Sequence, residues 1–461
     1  LTERADVTRL SLHLNDAGIT LSDGERILYR EPGYAWLGDE RLTTGNDAFS
    51  HARIDPRRIQ HRFWTELTTT PIVDHRFSHL CPADLAIAQL EQMWSAAGKG
   101  ADELVVAVPS WMTAANLGLF LGIAGELGMP VVAMADAAVA ATRREYRGAV
   151  PVHVDIGLHR AALTRMAQPG MAQTDRTEIV EDAGLFALYD RWLTTVAETF
   201  VQQSRFDPLH TAGTEQMLLD RLGGWLREAS SRDRVTMQLE AGGSSYTAEV
   251  ESLALVNAAA PVYQQIAIML RSFYRAEDLP AIQVTDRVAR MPGLADMLKA
   301  RVGGEVFVLE PGATARGALA RCRGSRDAAS GVSLVRQLPW DQAAIDIGAH
   351  DVDRTEAGTP THLLFGHTAF EIGGSPLVLG SQDAGADRFI ALAVDMPGVS
   401  RRHCSISRRN GQCVLEDHSR YGTFLNGHRI DGSSVLQVGD SLRIGSPGFE
   451  FQLITTERGD G

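Results

Sequence analysis

Residues 398–430 read GVSRRHCSISRRNGQCVLEDHSRYGTFLNGHRI. Short apolar–polar alternations are broken by turn residues, a pattern of strands rather than helices. Asn410-Gly411 stands between Ser405-Ile406-Ser407 and Cys413-Val414-Leu415. That pair predicts a tight hairpin, because both central positions of such a turn favour positive φ. Asn426-Gly427 predicts a second turn. Downstream, residues 436–454 read LQVGDSLRIGSPGFEFQLI and continue in the same style. Upstream, Ser375-Pro376-Leu377-Val378-Leu379-Gly380 and Arg388-Phe389-Ile390-Ala391-Leu392 add two more strands. A compact all-β unit over residues 361–461 is expected.

The Ser400-x-x-His403 block, the Gly422-Thr423-Phe424-Leu425-Asn426-Gly427 block and Val438-Gly439-Asp440-x-Leu442 follow one another as in a forkhead-associated (FHA) domain, which the unit resembles. The resemblance implies a β-sandwich whose end loops bind phosphothreonine peptides. It assigns Ser400 and Arg401 to phosphate or peptide hydrogen bonds and His403 to bracing their loop. It places Arg420 and Tyr421 on the next recognition loop, and Asn426 and Gly427 in a structural turn. A phosphate suits such a site, since planar guanidinium forks plus hydroxyl and backbone donors hold a near-dianion well. Ser381 stands where the family carries an arginine that contacts phosphate. Losing one charge-assisted bond, worth about 1.5–3 kcal/mol, weakens phosphate recognition. Two readings remain: phosphothreonine-dependent docking, and docking without phosphate.

The residues before this unit alternate differently. Leu104-Val105-Val106-Ala107-Val108 is a continuous apolar run, as in a strand covered on both faces. Thr113 is positioned to cap the next helix, Gly128 to end it, and Pro130–Ala135 to form a second strand, a βαβ unit. Strand Val152–Ile156 and its hairpin partner Ala161–Met166 follow. Helices are expected over 181–204, 218–226, 263–274, 291–301 and 314–321.

Three stretches resemble actin-like ATPases, and the nucleotide-binding domain of heat-shock protein 70 most closely. They are ELVVAVPSWMTAANLGLFLGIAGELGMPVVAMADAAVAAT, VPVHVDIGLHRAALTRM and IQVTDRVARMPGLADMLKARVGGEVFVLEPGATARGALA. The resemblance implies a two-lobed fold with ATP held between the lobes by two β-hairpins. Asp155 and Gly157 match the second phosphate hairpin, and Asp136 the acidic residue after a connecting strand. At the first hairpin, His13-Leu14-Asn15-Asp16 has lost the acid, glycine and hydroxyl of the family pattern, and Thr285-Asp286 replaces a glycine pair beside the adenosine. The expected fold is α/β, a two-lobed actin/heat-shock-protein-70-like ATPase fold over 1–322, followed by a linker over 323–360 and the all-β FHA sandwich. Within the linker, Val332–Val335 and Trp340 are candidates for a short strand or a docked anchor.

The chain has 461 residues with 44 Lys+Arg against 57 Asp+Glu, a net charge of -13. This acidity argues against nucleic acid as the main partner. The four cysteines have no CxxC spacing, which argues against a zinc ribbon. The apolar stretch Leu117–Ala141 is interrupted by Gly118, Glu126, Pro130 and Asp136, so no membrane insertion is expected. The polar start Leu1–Asp6 shows no leader, and a cytoplasmic address is expected. The expected function is a non-enzymatic adaptor without cofactor, docking a protein partner that is threonine-phosphorylated in one of the two readings. The alternative is an active ATPase, chaperone-like or filament-forming, using ATP and Mg²⁺.

Overall fold

A computed structural model describes residues 7–39, 41–275, 278–323, 331–347, 359–365, 368–382, 385–392, 398–409, 411–420, 422–425, 428–430, 432–444 and 449–455. Two six-stranded sheets dominate the part before residue 347. In the first, Arg9–His13, Ile19–Ser22 and Ile27–Glu31 are antiparallel neighbours. Arg9–His13 also pairs in parallel with Glu103–Val108, which pairs in parallel with Val131–Asp136. The second sheet repeats this order. Val150–Ile156, Arg160–Ala167 and Ala172–Glu181 are antiparallel, and Val150–Ile156 pairs in parallel with Pro280–Val284, then Glu305–Val308.

Local chemistry accounts for much of this. Leu104 to Ala107 are fully buried, as their unbroken apolar run requires. Thr113 Oγ1 accepts the Asn116 amide at 3.2 Å and starts the helix Ala114–Glu126. Gly128 turns out of it at φ +64°.

Several boundaries differ from expectation. The strand Ala172–Glu181 takes the residue where a helix was expected to begin, and that helix runs from Leu185 to Ser204. The helix Ala212–Ala229 extends the predicted one in both directions. The helix expected over 263–274 spans Ser252–Arg271 and continues through Pro261. Burial of Leu255, Ala259, Val262, Tyr263, Ile266 and Leu270 along one stripe outweighs the missing proline N–H. This helix is long and apolar enough to cross a membrane by length and composition, and its buried stripe belongs to the core of this part. The helix expected from Met291 is Leu294–Val302, preceded by a single turn, Asp286–Ala289.

Residues 331–347, expected within the linker, dock on both sheets. Leu334–Val335 pairs with Met134 and Ala135 of the first, and Gln337–Leu338 with Gln173 and Ala172 of the second. Ile345–Asp346 pairs with Tyr146–Arg147. Arg143 grips Asp341 through two nitrogens, and Arg144 grips Gln342. The buried Arg321 joins the segment to the helices Ala137–Ala141 and Ala313–Arg321, donating to the carbonyls of Val139, Ala140, Thr142, Gly317 and Pro339.

The last part is a β-sandwich. One sheet orders Phe389–Ala391, Leu377–Gly380, Cys404–Arg409, Gln412–Asp417 and Ser433–Leu436. The other runs Thr368–Glu371, His362–Phe365, Phe449–Ile454, Ser441–Ile444, Thr423–Leu425 and His428–Arg429. Leu379, Ile406, Leu415, Leu442, Phe451 and Leu453 fill the space between them, each fully buried. Gly411 turns the first predicted hairpin at φ +79°; Asn410 lies outside the described residues.

Candidate functional site

At one end of the sandwich three loops meet. The strand Leu377–Gly380 delivers Ser381, whose amide donates to the Ser400 carbonyl at 3.1 Å. Gln382 N donates to the Arg401 carbonyl at 3.2 Å. Gly380 permits this approach, since a Cβ there would lie 2.0 Å from the Arg401 oxygen.

His403 is fully buried behind the loop. Its Nδ1 accepts the Ser400 amide at 3.1 Å, which leaves the proton on Nε2 to donate to the Gly422 carbonyl at 3.2 Å. One ring thus joins two loops. Burial pushes the ring below its ordinary pKa, and the Gly422 carbonyl and Asp417 pull the other way. In front of it, Ser400 Oγ accepts the Arg420 amide at 3.2 Å. Arg401, Arg402 and Arg420 are exposed. Their guanidiniums therefore lie on the solvent side of a loop that is held from within.

Of the residues expected here, Ser381, Ser400, Arg401, His403 and Arg420 come together, while Tyr421 and Asn426 lie outside the described residues. Others were not anticipated. Asp417 Oδ1 accepts from Ser419 N at 3.0 Å and Thr423 Oγ1 at 2.8 Å, and Oδ2 from Thr423 N at 3.3 Å. Burial would raise this carboxyl, but the Thr423 and Ser419 bonds outweigh it and hold it below the carboxylate range. An Asp followed two residues later by Ser and six later by Thr was the available signal. Arg429 packs over Gly422, where a Cβ would lie 2.4 Å from Nε; nothing local in the sequence announces that contact.

The second candidate lies between the two large sheets, where the tips of two hairpins meet. Asn15 Nδ2 donates to Asp155 Oδ2 at 2.6 Å and to the Ile156 carbonyl at 3.3 Å. Asp16 Oδ1 accepts the Leu158 amide at 2.8 Å, and Gly157 leaves room for it, since a Cβ would be 2.5 Å from that oxygen. Asp16 Oδ2 is buried with no hydrogen-bond partner among the described residues, and burial raises the carboxyl's pKa. Thr285 Oγ1 donates to Asp155 Oδ1 at 3.1 Å, and Arg287 Nη1 to the Ile156 carbonyl at 3.0 Å. Burial alone would raise Asp155, but the Arg287 charge, His13 and His153 hold it below the usual range. His13, 3.8 Å from Asp155, is pushed down to about 4 by burial.

Asp136 lies next to this junction, since its partners Ser110 and Ala138 line the same small cavity as Asn15, Asp16 and Asp155. It caps the helix Ala137–Ala141 through the amides of Ala138 and Val139 and accepts from Ser110 Oγ at 3.0 Å. Asp286 is held between Arg30, at 3.6 Å, and Arg290. The cavities left here measure about 20 and 30 Å³, room for one or two waters each. Sequence reasoning marked Asp155, Asn15 and Asp16 but did not anticipate that Arg287 would reach back across them.

The family profile described as FHA domain matches residues 378–445, the segment that carries the three loops. No curated protein matches the chain.

Proposed function

We propose that the chain is an adaptor whose FHA domain docks a protein partner through a threonine phosphate, and whose first part is an actin-like module without ATP turnover. The observation that carries the docking role is the His403 bridge. It fixes Ser400 and Arg401 beside Arg420 while leaving the guanidiniums exposed. A phosphate with three acceptor oxygens fits such a set of forks and hydroxyl.

Support for the actin-like reading comes from the repeated sheet order and from the two hairpin tips facing each other across Asn15–Asp155 and Asp16–Leu158. The loss of turnover is argued from the same contacts. The Leu158 amide that would receive a phosphate oxygen already holds Asp16, and Arg287 sits on the Ile156 carbonyl. Displacing them would require a ligand to break several buried bonds at about 1–3 kcal/mol each.

The test is capture of partners on the full chain with and without phosphatase treatment, read by mass spectrometry. Partners retained equally after dephosphorylation would leave only phosphate-independent docking. For the first part, ATP–Mg²⁺ is expected to leave the melting temperature unchanged. A ligand at 100 times its Kd adds about 2.7 kcal/mol, so a clear upward shift would reinstate an ATPase.

A further inference from the structure

Where the sandwich meets the first part, three arginines and a tyrosine line one cavity. It lies between the end of the helix Ser252–Arg271, the start of the strand Pro280–Val284 and the strand Ser441–Ile444, and measures about 190 Å³. That is several times the space one water needs. Arg271, Tyr274 and Arg275 come from the first part and Arg443 from the FHA domain. Among the described residues Asp278 is the one carboxylate on the wall, and the rest is apolar.

Asp278 is committed to a turn. Its Oδ2 accepts the Arg275 amide at 2.9 Å, and its own amide donates to the Arg275 carbonyl at 3.1 Å. Arg271 is held in place by its Nε, which donates to the Arg301 carbonyl at 2.7 Å. Neither Arg271 nor Arg275 forms an ion pair among the described residues. Burial lowers the pKa of Arg271, and the neighbouring Arg301 adds to it. On the opposite wall the Arg443 guanidinium lies over the Phe424 ring, 4.7 Å from its centre. The Tyr274 hydroxyl is buried and meets no hydrogen-bond partner among the described residues. Burial raises its pKa far above the physiological range, so it keeps a proton to donate. A buried hydroxyl without a partner costs stability, and an acceptor supplied by a ligand removes that cost.

We infer that this cavity binds a phosphate group, which joins the FHA domain to the first part. Arg271 and Arg275 meet it from one side, Arg443 from the other, and the Tyr274 hydroxyl supplies a fourth donor. A tetrahedral anion has acceptor oxygens for all four groups, whereas a carboxylate has two. The site is separate from the hairpin junction and from the loops around Ser400, and it rests on no reading of either.

The test uses the full chain carrying Arg401→Ala and Arg420→Ala, so that the FHA loops add no anion binding. Calorimetry compares inorganic phosphate, O-phosphoserine and acetate. Phosphate or phosphoserine is expected to bind, and whichever is tighter tells a free anion from a monoester; acetate is expected to give no signal. Arg275→Ala, which removes an exposed side chain, is expected to leave the ligand-free melting temperature nearly unchanged and weaken binding about tenfold or more, the loss of one charge-assisted contact. Tyr274→Phe removes only the hydroxyl. It should leave the ligand-free melting temperature unchanged or higher and weaken binding about threefold or more. Arg443→Met keeps an apolar stem over Phe424 and should weaken binding about tenfold, the signature of a site shared by both parts. Absence of binding by both phosphate compounds, acetate binding as well as they do, or unchanged affinity in Arg275→Ala or Arg443→Met would overturn the inference.

Discussion

The FHA loops and the hairpin junction are built from similar groups, arginine, carboxylate, histidine and backbone amides, yet they end in opposite states. In the loops, His403 and Asp417 satisfy the backbone from behind and the arginines stay in solvent. At the junction the polar groups face one another. Asn15 meets Asp155, Asp16 meets Leu158 N, and Arg287 meets the Ile156 carbonyl. The difference teaches that residue types alone do not make a binding site. What matters is whether the polar side chains face one another or stay exposed to solvent.

The largest expected effect breaks the first half of that comparison. Gly380→Val places a branched side chain where even a Cβ would lie 2.0 Å from the Arg401 carbonyl. We expect more than about 4 kcal/mol of destabilisation and loss of the sandwich's cooperative melting, with the first part still folded. Differential scanning calorimetry decides this; two intact transitions would show that the loop contact is dispensable.

Next, Arg287→Ala removes the main charge that keeps Asp155 ionised at the junction. A broken buried pair costs about 3–5 kcal/mol. Because both side chains keep some solvent contact, about 2–4 kcal/mol is expected in urea unfolding. Adding Asp155→Asn should recover part of it. A loss below the error of the extrapolation would mean that the junction is not held by this charge.

A smaller effect sharpens the loop side. Arg401→Ala should weaken a phosphothreonine peptide about tenfold or more without changing the melting temperature, while Ser381→Arg should tighten it by roughly one to two orders of magnitude. The second expectation rests on Ser381 N lying on the Ser400 carbonyl, which puts its side chain beside the same loop. Equal binding of phosphorylated and unphosphorylated peptides in calorimetry would refute phosphate reading.

On the loop side the smallest effect is a pH dependence. His403 titrates below its ordinary value near 6.5 in the folded state. The unfolded chain therefore takes up the proton first as pH falls, and stability is lost from about 6.5 downward. Protonated Nδ1 would also face the Ser400 amide instead of accepting from it, so peptide affinity should fall in the same window. In the first part, burial pushes His13, His61 and His159 each down to about 4, so its stability should decline from 6.5 to about 4. Asp16, raised by burial, acts with the opposite sign at the acid end. Melting curves between pH 7.5 and 4 that stay flat for both parts would contradict these assignments.

Legibility in the sequence followed the range of each contact. Ser400 and His403 sit three residues apart in one short motif, and the bond between them is local. The apolar run at Leu104–Val108 and the Thr113 cap were equally local. The strand Ala172–Glu181 was hidden because its sequence, AQTDRTEIVE, is largely polar and half-exposed. The helix through Pro261 was misjudged because a local penalty was weighed without the core stripe that overrides it. Arg287 on Ile156 joins positions 131 apart in sequence, and Arg429 over Gly422 depends on how two strands pack. Neither has a signature in one sequence.

The docked segment 331–347 has a mechanical consequence. A pull on the C-terminal domain enters the first part at residue 347 and meets the attachments in series: Ile345–Asp346 on Tyr146–Arg147, then Asp341 on Arg143, then Gln337–Leu338 and Leu334–Val335 on the two sheets. Each strand pairing is two residues long, so each should yield before the six-stranded sheets bear load. Under tension the segment would pay out like a fuse, lengthening the reach of the docking domain while leaving the module behind it intact.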